Sequence, residues 1–535
     1  MRRLAVIIAL LGLGSPLFGA EKNAGSAPRF MVTAEYRQDT IDYDDVEKRF
    51  FRESARLTFG TSSASFTHIN VGMTAENRFT WNIRLRGLSP YFEAVVGNYY
   101  ANFGAGLLVG RKMALSPDLF RRTLAVSLGS PFTPCSSGNP YFSFMGIAAG
   151  VRYSSERVSL SLDGYYSFRN RFARIDRQFP DRTGSSFNAI LMRVKKDYRY
   201  SEPVEINDCG YSLMVRIAGH LTIQSYFIYS FIKRSGNHNL VWNYDARPAP
   251  GGEKNFYGYG FYFQYRDEYI LIFVDFCFPS RVISCGDGRT RTVRGFGIMY
   301  SLAFRHRTCS LSFTGKQTDK NYYSPYSSGK SSPETACTAA FSVNPVRNLT
   351  IGASFFTEKN RMPSGNEQYL RFTRREQVFL KYDSRLKGSC SIRAALAEWD
   401  KKDKKERHLR ISSSSRIYVM RSILFTLGGA VQRRIPGRYS GSLSTGIRFT
   451  LFNAATLHFR YSRFFIASGA SLYAAAPRRT GSISRSTAVT SSSNILAGGL
   501  ELRFAGCRLS VGYNHQFTRR RTIRGGIEAS ASCLF

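Results

Sequence analysis

Side chains that switch between apolar and polar with a period of two, again and again along 535 residues, leave this chain few possible folds. Successive side chains of an extended strand point to opposite faces, so the pattern builds strands with one greasy side and one wet side. The last stretch shows it most completely. Ile527, Ala529, Ala531, Cys533 and Phe535 form one row, with Gly526, Glu528, Ser530, Ser532 and Leu534 between them. Just before it, Cys507, Leu509, Val511 and Tyr513 alternate with Arg508, Ser510, Gly512 and Asn514. Near the start, Phe30, Val32, Ala34 and Tyr36 oppose Met31, Thr33, Glu35 and Arg37, and Phe79, Trp81, Ile83 and Leu85 oppose Thr80, Asn82, Arg84 and Arg86. The same alternation returns in Val158–Phe168, Tyr211–Ile217, Leu221–Phe231, Tyr257–Tyr265, Phe296–Phe304, Leu349–Phe355, Gly441–Leu451, Leu457–Arg463 and Leu496–Phe504.

Each run has roughly the 9–11 residues that a tilted strand needs to cross a bilayer. Some joins are short, such as Gly87-Leu88-Ser89-Pro90 and Phe304–Thr308. Others are long and polar: Arg169–Ser186, Lys233–Asn255, Lys316–Pro333, Trp399–His408 and Ala467–Asn494. Short turns at one end and long loops at the other predict an all-β fold, a large transmembrane antiparallel up-and-down barrel of about 22 to 26 strands with long polar extracellular loops. A soluble β-sandwich or solenoid shares the alternation. Against it stand the regular run length, the clustering of Phe and Tyr near run ends, and the start of the chain. Met1–Ala20 reads as a secretory signal, with Arg2 and Arg3 before an apolar core from Leu4 to Leu13. A short segment, residues 21–29, then precedes a barrel expected over 30–535. No uncharged apolar run comes near the ~20 residues of a spanning helix; the nearest, Tyr269–Phe278, contains Asp275.

The formal net charge is +38, from 75 Lys and Arg against 37 Asp and Glu, which implies attraction to something anionic. With the apolar rows facing lipid, Arg84, Arg86, Arg216, Arg305, Arg393, Arg448, Arg460, Arg503 and Arg508 fall in the lumenal rows, where Glu93, Asp163, Glu501 and Glu528 are the main acids. Rings of Arg in a pore favour anions. Equally, these arginines could pair with lumenal acids and fill space. The basic run Lys401-Lys402-Asp403-Lys404-Lys405 reads as a solvated loop tip or a contact for anionic surface sugars.

Two alternating strands ending on an aromatic residue resemble the closing hairpin of bacterial outer-membrane β-barrel proteins of the porin-like class. The resemblance implies an outer-membrane location and makes Phe535 the signal read by the barrel assembly machinery. A second segment, Val96-Gly97-Asn98-Tyr99-Tyr100-Ala101-Asn102-Phe103-Gly104-Ala105-Gly106-Leu107-Leu108-Val109-Gly110, is similar to one in large outer-membrane barrels that carry amino-terminal helix-hairpin-helix modules. There the pattern runs Gly-Asp-Tyr, a few residues, Phe-Gly-Gln-Gly-Leu; here Asn98 replaces the acid and Ala105 the Gln. The helical modules are missing from this sequence, so no specific nucleic-acid binding is implied. Gly104 and Gly106 permit a bend or close backbone approach within a strand. With Arg111 and Lys112 they make a candidate constriction, and Arg111–Arg122 could be a short helix in the lumen or an ordinary turn.

Nine Cys include no CxxC pair and no zinc spacing. Cys309, Cys390, Cys507 and Cys533 share rows with apolar residues and act there as small hydrophobes, while Cys277 and Cys285 leave a loop disulfide open. No catalytic constellation, cofactor or metal site is expected. Gly441-Ser442-Leu443-Ser444 begins like a nucleophile elbow but inside a strand, and His68, His220, His458 and His515 lie in expected strands without clustered acids. The expected partners are membrane lipid with its headgroups, the assembly machinery and small anionic solutes. A channel for such solutes leads; a basic surface barrel binding anionic host or envelope polymers, or an outer-membrane component of a transport assembly, are the alternatives.

Overall fold

Rows that alternate in polarity need a surface with lipid on one face and water on the other, and in the computed structural model the sheet provides one by closing on itself. Residues 30–534 are described, apart from 42–49, 62–65, 75–78, 90, 111–130, 135–142, 181–186, 192–200, 234–238, 242–252, 285–288, 323, 325, 328–333, 365–366, 385–387, 402–403, 421, 436–438, 452–453, 467–471, 476–485, 490–491, 505–506 and 518–521. Side chains are described for a smaller set between Trp81 and Phe517. The signal expected over Met1–Ala20, together with Arg111, Lys112, Cys285 and Phe535, lies outside the described residues.

The main sheet holds 28 strands, of which Phe132–Pro134, Phe187–Leu191, Asn239–Val241 and Thr290–Arg294 are short additions, leaving 24 in the wall. In chain order these are β1 (Phe30–Ile41), β2 (Phe50–Thr61), β3 (Phe66–Thr74), β4 (Phe79–Ser89), β5 (Phe92–Ala101) and β6 (Phe144–Ser154). There follow β7 (Val158–Pro180), β8 (Ser201–Ile217), β9 (Leu221–Lys233), β10 (Glu253–Arg266), β11 (Ile270–Ser284) and β12 (Gly297–Arg305). Next come β13 (Cys309–Thr318), β14 (Glu334–Val346), β15 (Leu349–Ser364), β16 (Glu367–Ser384), β17 (Gly388–Lys401) and β18 (Lys404–Met420). The last six are β19 (Ile423–Ile435), β20 (Tyr439–Leu451), β21 (Ala455–Phe465), β22 (Ser493–Phe504), β23 (Cys507–Phe517) and β24 (Thr522–Leu534). Each pairs antiparallel with the next, and β1 pairs with β24 from Met31 opposite Leu534 to Ile41 opposite Arg524. Closure satisfies every strand's hydrogen-bonding edge, the condition for a sheet to stand in hydrocarbon.

Register carries the alternation from strand to strand, with shifts confined to strand ends such as Val343/Val346 and Tyr418/Met420. Val32 lies opposite both Cys533 and Phe59, and Val71 opposite both Leu57 and Trp81, so apolar rows meet apolar rows. Where side chains are described, Leu162, Leu302, Val378 and Leu443 are half exposed or more, although each is apolar. In water such a surface would be untenable; facing lipid it is the belt. Val378 lies near the middle of that belt, and Val378→Arg is expected to destabilise the barrel by about 2–4 kcal/mol in denaturant unfolding from lipid vesicles. A loss near zero would place this face in water.

The short-turn end is tightly bonded. Asp267 accepts from the amides of Ile270 at 2.6 Å and Tyr269 at 2.7 Å, which holds its carboxyl below the usual carboxylate range. At the other end two expected joins are strand instead of loop. Arg169–Pro180 continues β7, and the described residues of Trp399–His408 are paired strand, Trp399 to Lys401 in β17 against Lys404 to Glu406 in β18. The polar composition misleads there because a strand that rises beyond the lipid has water on both faces and loses its alternation.

Candidate functional site: an inturned segment and a basic wall

One stretch leaves the wall and enters the lumen. Gly97 has a φ of 98°, and a Cβ there would lie 2.3 Å from the Trp81 carbonyl oxygen, so only glycine fits this kink in β5. The Asn98 carboxamide secures the kink by accepting from the Trp81 amide at 3.1 Å and donating to Ser143 Oγ at 3.2 Å. After Ala101 the chain turns inward, and Asn102–Val109 packs against the inner faces of β6–β12. Phe103 is fully buried among Phe132, Tyr165 and Tyr226, with ring centroids 5.9–6.1 Å apart. Leu108 lies over Gly258, where the wall has no side chain to obstruct it.

Polar contacts fix the segment at both edges. The Gly104 amide donates to Gln224 Oε1 at 3.1 Å, and the Ala105 amide donates to Asp275 Oδ2 at 2.7 Å. Tyr226 donates to Asp275 Oδ1 at 2.6 Å, and the Leu107 amide is a third donor to this fully buried carboxylate. On the other edge, the hydroxyls of Tyr322 and Ser324 donate to the carbonyls of Leu107 and Leu108. Val109–Gly110 then pairs in parallel with Tyr326–Ser327. A buried carboxylate is tolerated when several donors replace its lost water, so Asp275 both demands and fixes the inturned backbone.

Gly104 and Gly106 therefore lie beyond β5, in the inturned segment, and not within a strand as expected. Gly104 has a φ of 57°, and a Cβ there would fall 2.7 Å from Asp275 Oδ1; its role is close approach to the latch. Ala105, at the position of the resembled family's Gln, contributes a backbone amide to it. Cys277 is a free thiol buried beside Tyr322.

The opposite side of the lumen differs in kind. The inner rows of β17–β21 carry Ser391, Arg393, Arg410, Ser412, Ser414, Ala430, Ser442, Ser444, Arg448, Arg460 and Ser462, and most of them are partly or fully exposed. Arg460 reaches Ser444 Oγ at 3.4 Å. Among the described residues, Arg410, Arg448 and Arg460 have no carboxylate within ion-pair distance.

All nine arginines read from the sequence fall in inner rows, but in different settings. Arg84 is bonded through Nε to Glu93 at 2.8 Å, and Glu93 also holds Arg152 at 2.7 Å. Arg86 lies opposite Glu93 in the register. Arg503 and Arg508 share Glu501 at 2.8 and 2.9 Å. Arg216 and Arg305 are at or next to strand ends beside the short turns. Arg393, Arg448 and Arg460 remain on the basic wall, joined by Arg410, which sequence reasoning passed over. Because Glu93 keeps Arg152, Arg84→Ser is expected to leave ion selectivity within about twofold of the parent in bilayer recordings; a larger change would make Arg84 part of the ion path.

No protein-family model matches the sequence, and no curated protein does. The fold is similar to the siderophore receptor PirA from Pseudomonas aeruginosa, at 6% identity over 96% of this chain and 81% of that one, with a TM-score of 0.48. It is similar to a ferric enterobactin receptor mutant from Pseudomonas aeruginosa in complex with enterobactin, at 8% identity over 96% and 82% of the two chains, with a TM-score of 0.47. The translocation pore of the P pilus usher PapC matches at 8% identity over 94% and 99%, with a TM-score of 0.38. At such values the likeness is to overall shape and says nothing of cargo. The closed wall and its outward apolar belt decide the setting: the chain folds as a membrane-spanning β-barrel of the outer-membrane type.

Proposed function

We propose that this barrel is a channel for small solutes, preferentially anionic ones, which pass along the basic wall of β17–β21 while the inturned segment fills the other side of the lumen. The supporting observation is the inner row holding Arg410, Arg448 and Arg460, which are partly or fully exposed and have no carboxylate in ion-pair reach among the described residues. Folding gives no reason to keep such charges, because the strands satisfy one another's backbone groups. A cation lining a confined aqueous path raises the local concentration of anions and opposes cations. The small side chains between the arginines, Ser412, Ser414, Gly428, Ala430 and Ser444, leave room for a solute.

The test is reversal potential in planar bilayers across a salt gradient, with the full chain reconstituted. Anion-selective conductance supports the channel. A barrel that inserts but stays electrically silent would reject it in favour of a plugged barrel that binds polymers at its surface.

A further inference from the structure

A second set of cations stands on the other side of the wall, where no solute in the lumen can reach it. Lys359, Arg374, Arg407, Arg433 and Arg463 belong to the outward rows of β15, β16, β18, β19 and β21, in line with exposed Ile351, Val378, Leu409, Val431 and Tyr461. All five are exposed. Lys359, Arg374 and Arg433 lie 10 residues along their strands from the short-turn end, Arg463 8 and Arg407 13, close to or just beyond the span that carries a tilted strand across the hydrocarbon. They therefore emerge at the level of the lipid headgroups, on the side away from the short turns.

Three of them are seated on aromatic rings. The Arg374 guanidinium lies 5.5 Å above the Phe355 centroid, that of Arg433 5.2 Å above Tyr439, and that of Arg463 4.8 Å above Phe465. A guanidinium over a ring at the edge of an apolar belt is held in place, can still donate to a second partner, as Arg374 does to Glu376, and is poorly suited to bury itself in hydrocarbon. Outward acids on this arc among the described residues are Glu376, bonded to Arg374, Glu398, bonded to Arg407 at 3.2 Å, and Asp400, two positions beyond Glu398; these three still leave a cationic excess over the five basic side chains. Arg433 and Arg463 have no carboxylate in ion-pair reach among the described residues. On the rim over β7–β10 the corresponding outward rows run through Phe168, Phe231 and Tyr259 instead, so the basic character belongs to one arc.

We propose that this outward arc is a binding site for the phosphate groups of a membrane lipid, with Arg433 and Arg463 as its principal contacts and Arg374, Arg407 and Lys359 flanking them. Acyl chains of the same lipid would lie on Leu409, Val431, Leu443 and Tyr461 directly below. Burying alkyl chain against the belt while pairing phosphate with guanidinium gives one molecule two favourable contacts that neither a free phosphate nor a neutral lipid can make together.

The test uses the full folded chain in detergent micelles, titrated with a bisphosphorylated lipid A, with the same lipid after removal of its phosphates, and with inorganic phosphate. The phosphorylated lipid should bind at least tenfold more tightly than either of the others. The double variant Arg433→Gln, Arg463→Gln should lose most of that preference, while Arg410→Ser, on the inner face, should keep it. Equal binding of the dephosphorylated lipid, equal binding of inorganic phosphate, or a double variant that retains the full preference would each overturn the site. Should the double variant fail to fold, as read from heat-dependent gel mobility, the lipid comparison on the parent chain decides alone. Conductance plays no part in this measurement, so its outcome is independent of the channel reading.

Discussion

Asp275→Ala is expected to at least double single-channel conductance and to make the open level noisy. The carboxylate takes three donors, from Tyr226, the Ala105 amide and the Leu107 amide, and two of these come from the inturned backbone. Removing it strands buried donors at about 1–3 kcal/mol each, a penalty the segment can relieve by leaving its seat and finding water. The wall is expected to survive, because its own ladder does not depend on the contact. Asp275→Asn is the sharper comparison: the amide keeps one acceptor oxygen but places a donor against another donor, so an intermediate conductance is expected. Unchanged conductance in both variants would mean that Asn102–Val109 does not limit the path.

The second large effect is on selectivity. Arg410→Ser combined with Arg460→Ser should lower the chloride-to-potassium permeability ratio about threefold or more towards unity, with conductance preserved or raised. Both guanidinium groups are only partly exposed, so each acts through a medium less screening than bulk water, and both substitutions leave side chains already common on that wall. High salt should mask the difference between parent and variant. If the ratio holds at low salt, the path runs elsewhere in the lumen.

Much of the barrel is legible from residues alone because one physical demand, lipid outside and water inside, writes itself into every second position. Rows such as Val158 to Phe168 and Leu496 to Phe504 give their outward faces directly. The lumen is harder to read, since its contents come from contacts far apart in sequence. Gln224 meets Gly104 across 120 positions and Asp275 meets Ala105 across 170, which no local pattern announces. One signal was nevertheless present. Tyr269–Phe278 is apolar in both rows, the mark of a strand buried on both faces, and its single acid is the residue that latches the segment. The alternating glycines of Tyr257-Gly258-Tyr259-Gly260 mark the same place: the inner row is bare where Leu108 and Tyr226 press against it. Charge pairing stayed hidden for a similar reason. Arg84 and Arg460 occupy equivalent rows, and only the positions of Glu93 and Ser444 separate a neutralised arginine from an available one.

The lengths of the strands bear on how the mouth of the barrel meets the outside. β7 runs for 23 residues, β16 for 18, and β8 and β18 for 17 each, well beyond what hydrocarbon requires. Their surplus forms a paired, upright collar above the lipid, where amides are already engaged by a neighbour. Proteases need a single extended chain in their clefts, so cuts made on intact cells should fall at hairpin tips and spare the collar beneath them.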